Sequence, residues 1–504
     1  MRILIGGDDR MTVVDGSGDV AARSVQDYID ETPYWADGTI APSSPMTAMQ
    51  WRIWFLASAG KFFEGMVVFI TGVALPLIVS EFNLGAMEKG TISAATLFGI
   101  LIGATVLGGL ADHYGRKKMF IVELVLFVTC LVALVFSPSY IFLVTFLFGM
   151  GLALGCDYPT AHMVISESIA SNDRGRLVLS AFAFQAVGAL VGTAVGYLIL
   201  YKSPDISAWR YMYGAAIIPA VLVVAGRFYI PDSSHWLVSK GRIAEAEAEL
   251  RKLLQREPHY PKVIKIAPPV QSGNRSEKDG SKGSYLDLFN GKNIRATVLA
   301  SVPWFLQDLG TYGIGIFTPT ILGSVLGAKA VYARNVADLI YNDMLAAKGA
   351  AFIDVLLLVG IIAAVFLADK VGRITLQIVG FIGCAVGLFL ASMSITVDSN
   401  SAMSITLLFS GFMLFSFMTN LGPNAITYLL AGEVFPTRIR GKGAGFAASF
   451  AKIGAVATAF LFPVLLKDFG TGPILIFLVG CSVLGAIITW LFRIETSGVN
   501  LEEM

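Results

Sequence analysis

The chain has 504 residues, 55% of them hydrophobic and only 14% charged, with a formal net charge of +1 and a mean hydropathy of +0.70. Soluble domains carry about 25% charged residues, so the composition excludes an ordinary soluble protein and points to an all-α, polytopic membrane protein. The cysteines (Cys130, Cys156, Cys384 and Cys481) and the four histidines show no metal-ligand or CxxC spacing, which speaks against a bound metal, a cofactor or a disulfide framework.

Residues 1–50 are polar, with eight acids against three arginines, and read as a disordered or loosely packed acidic cytoplasmic tail rather than a signal peptide. Apolar segments long enough to cross a bilayer then follow at about 55–80, 90–111, 118–137, 140–168, 175–200 and 209–230. A second set runs at about 294–323, 349–369, 374–395, 403–431, 443–467 and 473–493. Between them, 231–292 reads as a cytoplasmic linker with a short amphipathic helix within Gly241–Gln255 and a Gly/Ser-rich stretch at Gly273–Ser284. The expected organisation is a tail (1–50), a six-helix half (51–230), the linker (231–292), a second six-helix half (293–494) and a cytoplasmic tail (495–504).

Basic residues set the orientation. Arg116, Lys117, Lys118, Arg174, Arg176, Lys370, Arg373, Arg438, Arg440 and Lys442 fall on one side, which is expected to be cytoplasmic and to hold both termini. Ser324–Lys348 is expected on the other side as a long loop.

The halves echo each other. Leu110-Ala-Asp112-His-Tyr-Gly115-Arg116 recurs 257 residues later as Leu367-Ala-Asp369-Lys-Val-Gly372-Arg373. Glu167, followed by Arg174 and Arg176, recurs as Glu433, followed by Arg438 and Arg440. Repeated halves place a substrate site at their interface near mid-bilayer.

Intramembrane polar residues are costly and mark such sites. Asp157-Tyr158-Pro159 puts an acid, a phenol and a helix breaker side by side in span four, opposite Gly422-Pro423-Asn424 in span ten. Glu64 in span one pairs in position with Asp308 in span seven, and Gln185 in span five with Lys452 in span eleven. Spans 1, 4, 5, 7, 10 and 11 carry these groups; spans 2, 6, 8, 9 and 12 read as bland, and Glu123 in span three is the exception. Trp304-x3-Asp308-x3-Tyr312 places an aromatic ring, an acid and a phenol on one helix face. Lys452 either locks Asp308 in a structural pair or exchanges it for an anion; Lys61, one turn before Glu64, reads as its partner, and His162 as a packing or proton-relay residue. No GxxxxGK[ST] sequence is present, and no nucleophile–base set suggests an enzyme.

Gly109-Leu-Ala-Asp112-His-Tyr-Gly115-Arg116-Lys-Lys resembles the loop signature of the major facilitator superfamily, and Pro231-Asp-Ser-Ser-His-Trp-Leu and Glu433-Val-Phe-Pro-Thr-Arg resemble its sugar-porter branch. Within it, Gly155-Cys156-Asp157-Tyr158-Pro159…Ser166-Glu167, Gln185, Trp304-x3-Asp308-x3-Tyr312 and Ala451-Lys452-Ile-Gly454-Ala are most similar to the phosphate:proton symporters. The resemblance implies twelve helices in two pseudo-symmetric halves around a central cavity, and alternating-access symport of protons with a small anion, foremost phosphate, by a monomer in the cell membrane. It implies that Tyr158, Gln185, Trp304, Asp308, Tyr312 and Lys452 line the substrate pocket, that Glu64, Glu123, Asp157 and Asp308 carry protons, and that Asp112, Gly115, Arg116, Glu167, Arg174, Asp369, Arg373, Glu433 and Arg438 form a cytoplasmic gate. The sequence departs from that pattern at Val67, where a second acid is usual, and at Cys156, which replaces a glycine. Symport of an organic acid, aromatic acid or sugar remains the alternative, since related carriers share the scaffold.

Overall fold

The computed structural model describes residues 22–31, 46–107, 110–255, 264–267, 284–326, 336–397, 401–436 and 439–496. Twelve helical spans account for most of them. Spans one to six are Ala48–Phe82, Ala86–Leu107, Arg116–Val135, Tyr140–Ser168, Asp173–Lys202 and Ala208–Phe228. Span seven is Ile294–Leu326, and spans eight to twelve are Val336–Ala368, Arg373–Thr396, Ala402–Glu433, Arg440–Phe469 and Thr471–Leu491. Eleven are long and apolar enough to cross a membrane. Span seven is equally long and carries Gln307, Asp308, Pro303 and Pro319, which a helix facing other helices and a polar cavity tolerates.

The halves meet along three seams: span one against span seven, span two against span eleven, and span five against span eight. Small residues permit this closeness. A Cβ at Gly72 would collide with the Ile316 carbonyl and one at Gly90 with the Phe460 carbonyl; within the first half, one at Gly65 would collide with the Gln185 carbonyl. The Gly72–Ile316 contact closes the centre on the side away from the basic loops, here the far side.

Several expectations change. Span four is an unbroken helix through Pro159, because proline removes a single backbone donor and its neighbours keep theirs. Span ten does break, ending at Leu421 and restarting with Pro423 at its first turn. Span five also breaks, at Ala183. The long loop expected at 324–348 is mostly helix: span eight starts at Val336 and buries Ile340, Ala346 and Ala347. Spans six and eight are not bland. Arg227 in span six and Asp343 and Asp354 in span eight are buried.

Part of the acidic tail is ordered rather than loose. Val25–Asp30 forms a helix with a Ser24 capping box, and its apolar face (Val25, Tyr28, Ile29) is buried. Tyr28 Oη donates to the Lys265 carbonyl and accepts from its N–H, while Asp30 accepts from the Ser171 N–H at 2.7 Å. Tail and linker therefore pack together over the basic side. The amphipathic linker helix is present at Ile243–Leu254. Residues 268–283, with most of the expected Gly/Ser-rich stretch, lie outside the described residues.

Candidate functional site

The central site is a chain of hydrogen bonds joining the two halves. Glu64 Oε2 receives Lys61 Nζ at 2.6 Å. Its other oxygen accepts from Tyr312 Oη at 3.0 Å and Gln185 Nε2 at 3.3 Å. Lys452 Nζ donates to Tyr312 Oη at 2.7 Å and to Asp308 at 3.2 Å, and lies 3.7 Å from Glu64. Glu64, Asp308, Tyr312 and Lys452 are all buried. Two ammonium groups thus face two carboxylates, and each charge has a partner, as burial in low dielectric demands.

An aromatic layer lies on the basic side of this network. Lys61 Nζ sits 3.2 Å above the Tyr158 ring, a cation–π contact. Tyr428 is the hub: its ring stacks on Phe182 at 4.6 Å, meets Tyr158 at 5.9 Å and Trp304 at 6.1 Å edge-on, and lies 6.3 Å from His162. The space between leaves about 20 Å³ for the centre of a water-sized sphere, lined by Lys61, Glu64, Asp157, Tyr158, His162, Phe182 and Tyr428 among others. That is room for about one water, so a larger cargo enters only when the halves separate.

All six residues expected at the substrate pocket converge here: Gln185, Asp308, Tyr312 and Lys452 in the network, Tyr158 and Trp304 in the aromatic layer. Of the four expected proton carriers, Glu64 and Asp308 belong to it. Glu123 and Asp157 form a separate cluster one step toward the basic side, around a residue the sequence reading missed. Arg227 Nη1 lies 2.7 Å from Asp157 and 3.6 Å from Glu123; the same guanidinium donates to the Phe120 and Leu56 carbonyls. Asp157 also fills the space a side chain at Gly60 would take, one turn from Glu64. Tyr428 and Arg227 were hidden because each lies near the end of an apolar run, where a tyrosine or arginine reads as an interface anchor.

The expected gate residues form two equivalent ion pairs. Arg116 reaches Glu167 at 3.3 Å, and Arg373 Nε reaches Glu433 at 2.9 Å. Gly115 and Gly372 precede the paired arginines with φ of +104° and +91°, left-handed values that favour glycine. Arg174 Nε is buried and has no hydrogen-bond partner among the described residues. The Asp112 and Asp369 side chains, and Arg438 altogether, lie outside what the structure describes.

The chain is similar to known carriers over most of its length. It is 29% identical over 453 residues to a putative metabolite transport protein, YaaU, of Escherichia coli, covering 90% of this chain and 94% of that one. It is 26% identical over 461 residues to a D-xylose transporter of Levilactobacillus brevis (90% and 94% covered) and 25% identical over 523 residues to a putative inorganic phosphate transporter of Schizosaccharomyces pombe (91% and 88%). The partially occluded inward-open xylose transporter XylE of E. coli superposes with a TM-score of 0.70 at 22% identity, covering 90% of this chain and all of that one, which shows the fold. A phosphate carrier thus stands among sugar and metabolite carriers without preference, and the expected closeness to phosphate symporters is not supported. Residues 53–504 match the family described as Sugar (and other) transporter. The protein is an integral, multi-pass membrane protein of the major facilitator fold and belongs to the sugar (and other) transporter family.

Proposed function

We propose that the chain is a proton-coupled symporter of a small organic metabolite bearing a carboxylate, such as a sugar acid or aromatic acid, working by alternating access with the basic side cytoplasmic. The observation that carries this reading is Lys452, held by Asp308 and Tyr312 at the seam between the halves. A neutral sugar needs hydrogen-bond partners but no buried ammonium. A carboxylate cargo replaces Asp308 as the counter-ion of Lys452, and the aromatic layer covers its carbon skeleton. For the exchange to conserve charge, Asp308 takes up a proton, which removes its negative charge and frees the ammonium. Glu64 and Lys61 form an equivalent pair in the other half. Loaded, the site is electrically balanced and the halves can close around it.

Competition in proteoliposomes under an inward proton gradient tests this. Labelled gluconate or an aromatic carboxylate should accumulate, and an uncoupler should abolish accumulation. Xylose uptake that carboxylates do not inhibit would overturn the acid reading, and accumulation that survives the uncoupler would overturn proton coupling. A second reading, phosphate as the anion, draws on the convergence of Tyr158, Gln185, Trp304, Asp308, Tyr312 and Lys452 in one place; phosphate accumulation in the same assay would select it.

A further inference from the structure

A second acidic site lies away from the central network, in the seam between span five and span eight. Asp354 in span eight is 5% exposed, and its carboxyl meets no cation among the described residues. Its single hydrogen-bond partner among the described residues is Thr193 of span five, whose Oγ1 is 2.9 Å from Oδ2. Spans seven, ten, one and nine also touch span eight. Their titratable groups near the centre (Asp308, Tyr312, Glu64, Lys61) pair with one another instead. Tyr428 lies in the aromatic layer.

Burial identifies the state of this acid. Thr193 Oγ1 has one hydrogen, which it offers to Asp354 Oδ2 at 2.9 Å in competition with the carbonyls of Ala189 and Leu190 at 3.1 Å. A carboxylate held by that one shared, neutral hydroxyl, with no ion pair among the described residues, would be a bare charge in the setting where it is most costly. The neutral carboxylic acid avoids that cost. Asp343 repeats the theme 11 residues earlier, about three turns along the same face. It is 4% exposed, and its Oδ2 has no hydrogen-bond partner. Thr193 lies eight residues, or about 12 Å, beyond Gln185 toward the far side, so the pair sits outside the central site but on the same seam.

We propose that Asp354 is a proton-binding residue of the transport cycle, separate from the central site, that holds the far side closed while protonated. When the seam between spans five and eight opens, water reaches the carboxyl, its O–H bond breaks, and the proton leaves to water on the far side. The resulting carboxylate, now hydrated, resists return to the dry seam until it is protonated again. Proton binding thereby favours the far-side-closed form, in a carrier whose coupling rests on the symporter reading.

Infrared difference spectroscopy on the purified protein in lipid tests the first half without any cargo. The wild type at neutral pH should show a protonated-carboxyl C=O band that is absent in Asp354→Asn and shifted in frequency in Thr193→Val. A band that persists unchanged in Asp354→Asn would overturn the proposal, and an unshifted band in Thr193→Val would overturn the pairing. Spin labels at Tyr201→Cys and Tyr341→Cys, exposed positions near the far-side ends of the two spans, test the second half; the four native cysteines are buried. The wild-type distance should lengthen as pH rises, whereas Asp354→Asn should stay closed throughout. An equal pH response in both would overturn the coupling. Neither measurement depends on substrate, so a failed uptake assay and a failed proposal give different results.

Discussion

Arg227 Nη1 stands 2.7 Å from Asp157 Oδ1, with the arginine side chain wholly shielded from solvent. The same guanidinium lies over the Phe120 ring, 3.4 Å from its centroid, and bonds the Phe120 and Leu56 carbonyls, tying spans one, three, four and six together. Removing it leaves two acids, Asp157 and Glu123, facing each other in the bundle. Arg227→Leu should therefore destabilise the protein by about 3–5 kcal/mol, the cost of breaking one side of a buried charge cluster. Thermal unfolding of the purified protein in detergent checks this, and adding Asp157→Asn should restore part of the loss. Lysine should not substitute, because one ammonium cannot span the guanidinium's partners.

Lys452 and Asp308 should separate binding from coupling. Lys452→Ala is expected to weaken binding of the transported anion by about 2–5 kcal/mol, since it removes the buried counter-ion. Asp308→Asn should retain binding yet lose uphill, proton-driven accumulation. Unchanged affinity in the first variant would make the lysine structural; full uphill uptake in the second would exclude Asp308 as a proton carrier.

The two ion pairs on the basic side should bias the conformational equilibrium. Glu433→Gln leaves Arg373 with a weaker acceptor and should favour the form open to the basic side by about 1–3 kcal/mol. Maleimide labelling of Ala161→Cys, at a buried position lining the small cavity, should be faster in this background. An unchanged rate would remove the pair from the gate.

Gly115 and Gly175 make a matched contrast. At Gly115, φ is +104° and an added Cβ would press the Trp236 ring at 3.1 Å, whereas nothing lies within 4 Å of one at Gly175, inside a helix. Gly115→Ala should cost at least about 1 kcal/mol, and Gly175→Ala should gain about 0.5–1 kcal/mol. Paired unfolding measurements decide the sign of each.

His235, in the linker beneath Glu167, titrates below its ordinary range: burial disfavours the imidazolium, and Glu167 opposes this while Arg174 adds to it. Between that lowered value and about 6.5, the unfolded chain binds more protons than the folded one, so stability rises with pH across this window and falls as pH drops below about 6.5. His235→Gln should flatten this acid-side decline in melting temperature relative to the wild type.

Spans one to seven and nine to twelve were legible because a bilayer demands about 20 apolar residues wherever a helix crosses, and repeated motifs located the ion pairs Arg116–Glu167 and Arg373–Glu433. Glu64, Asp308 and Lys452 were legible for a related reason: a charge inside such a run is costly enough to be noticed. What local pattern left open was partner choice. Nothing in the order of residues says that Asp157 and Glu123 turn to Arg227 rather than to the central network, that Tyr428 gathers Tyr158, Phe182 and Trp304, or that the Val25–Asp30 helix docks on the linker. Pro159 stayed within its helix while Pro423 began a new one, a difference made by packing around each rather than by proline itself. Length and apolarity, which act along the chain, were determined by sequence alone. Pairing of buried charges acts across the chain, through helix rotation and close approach at glycine, and only the tertiary structure decided it.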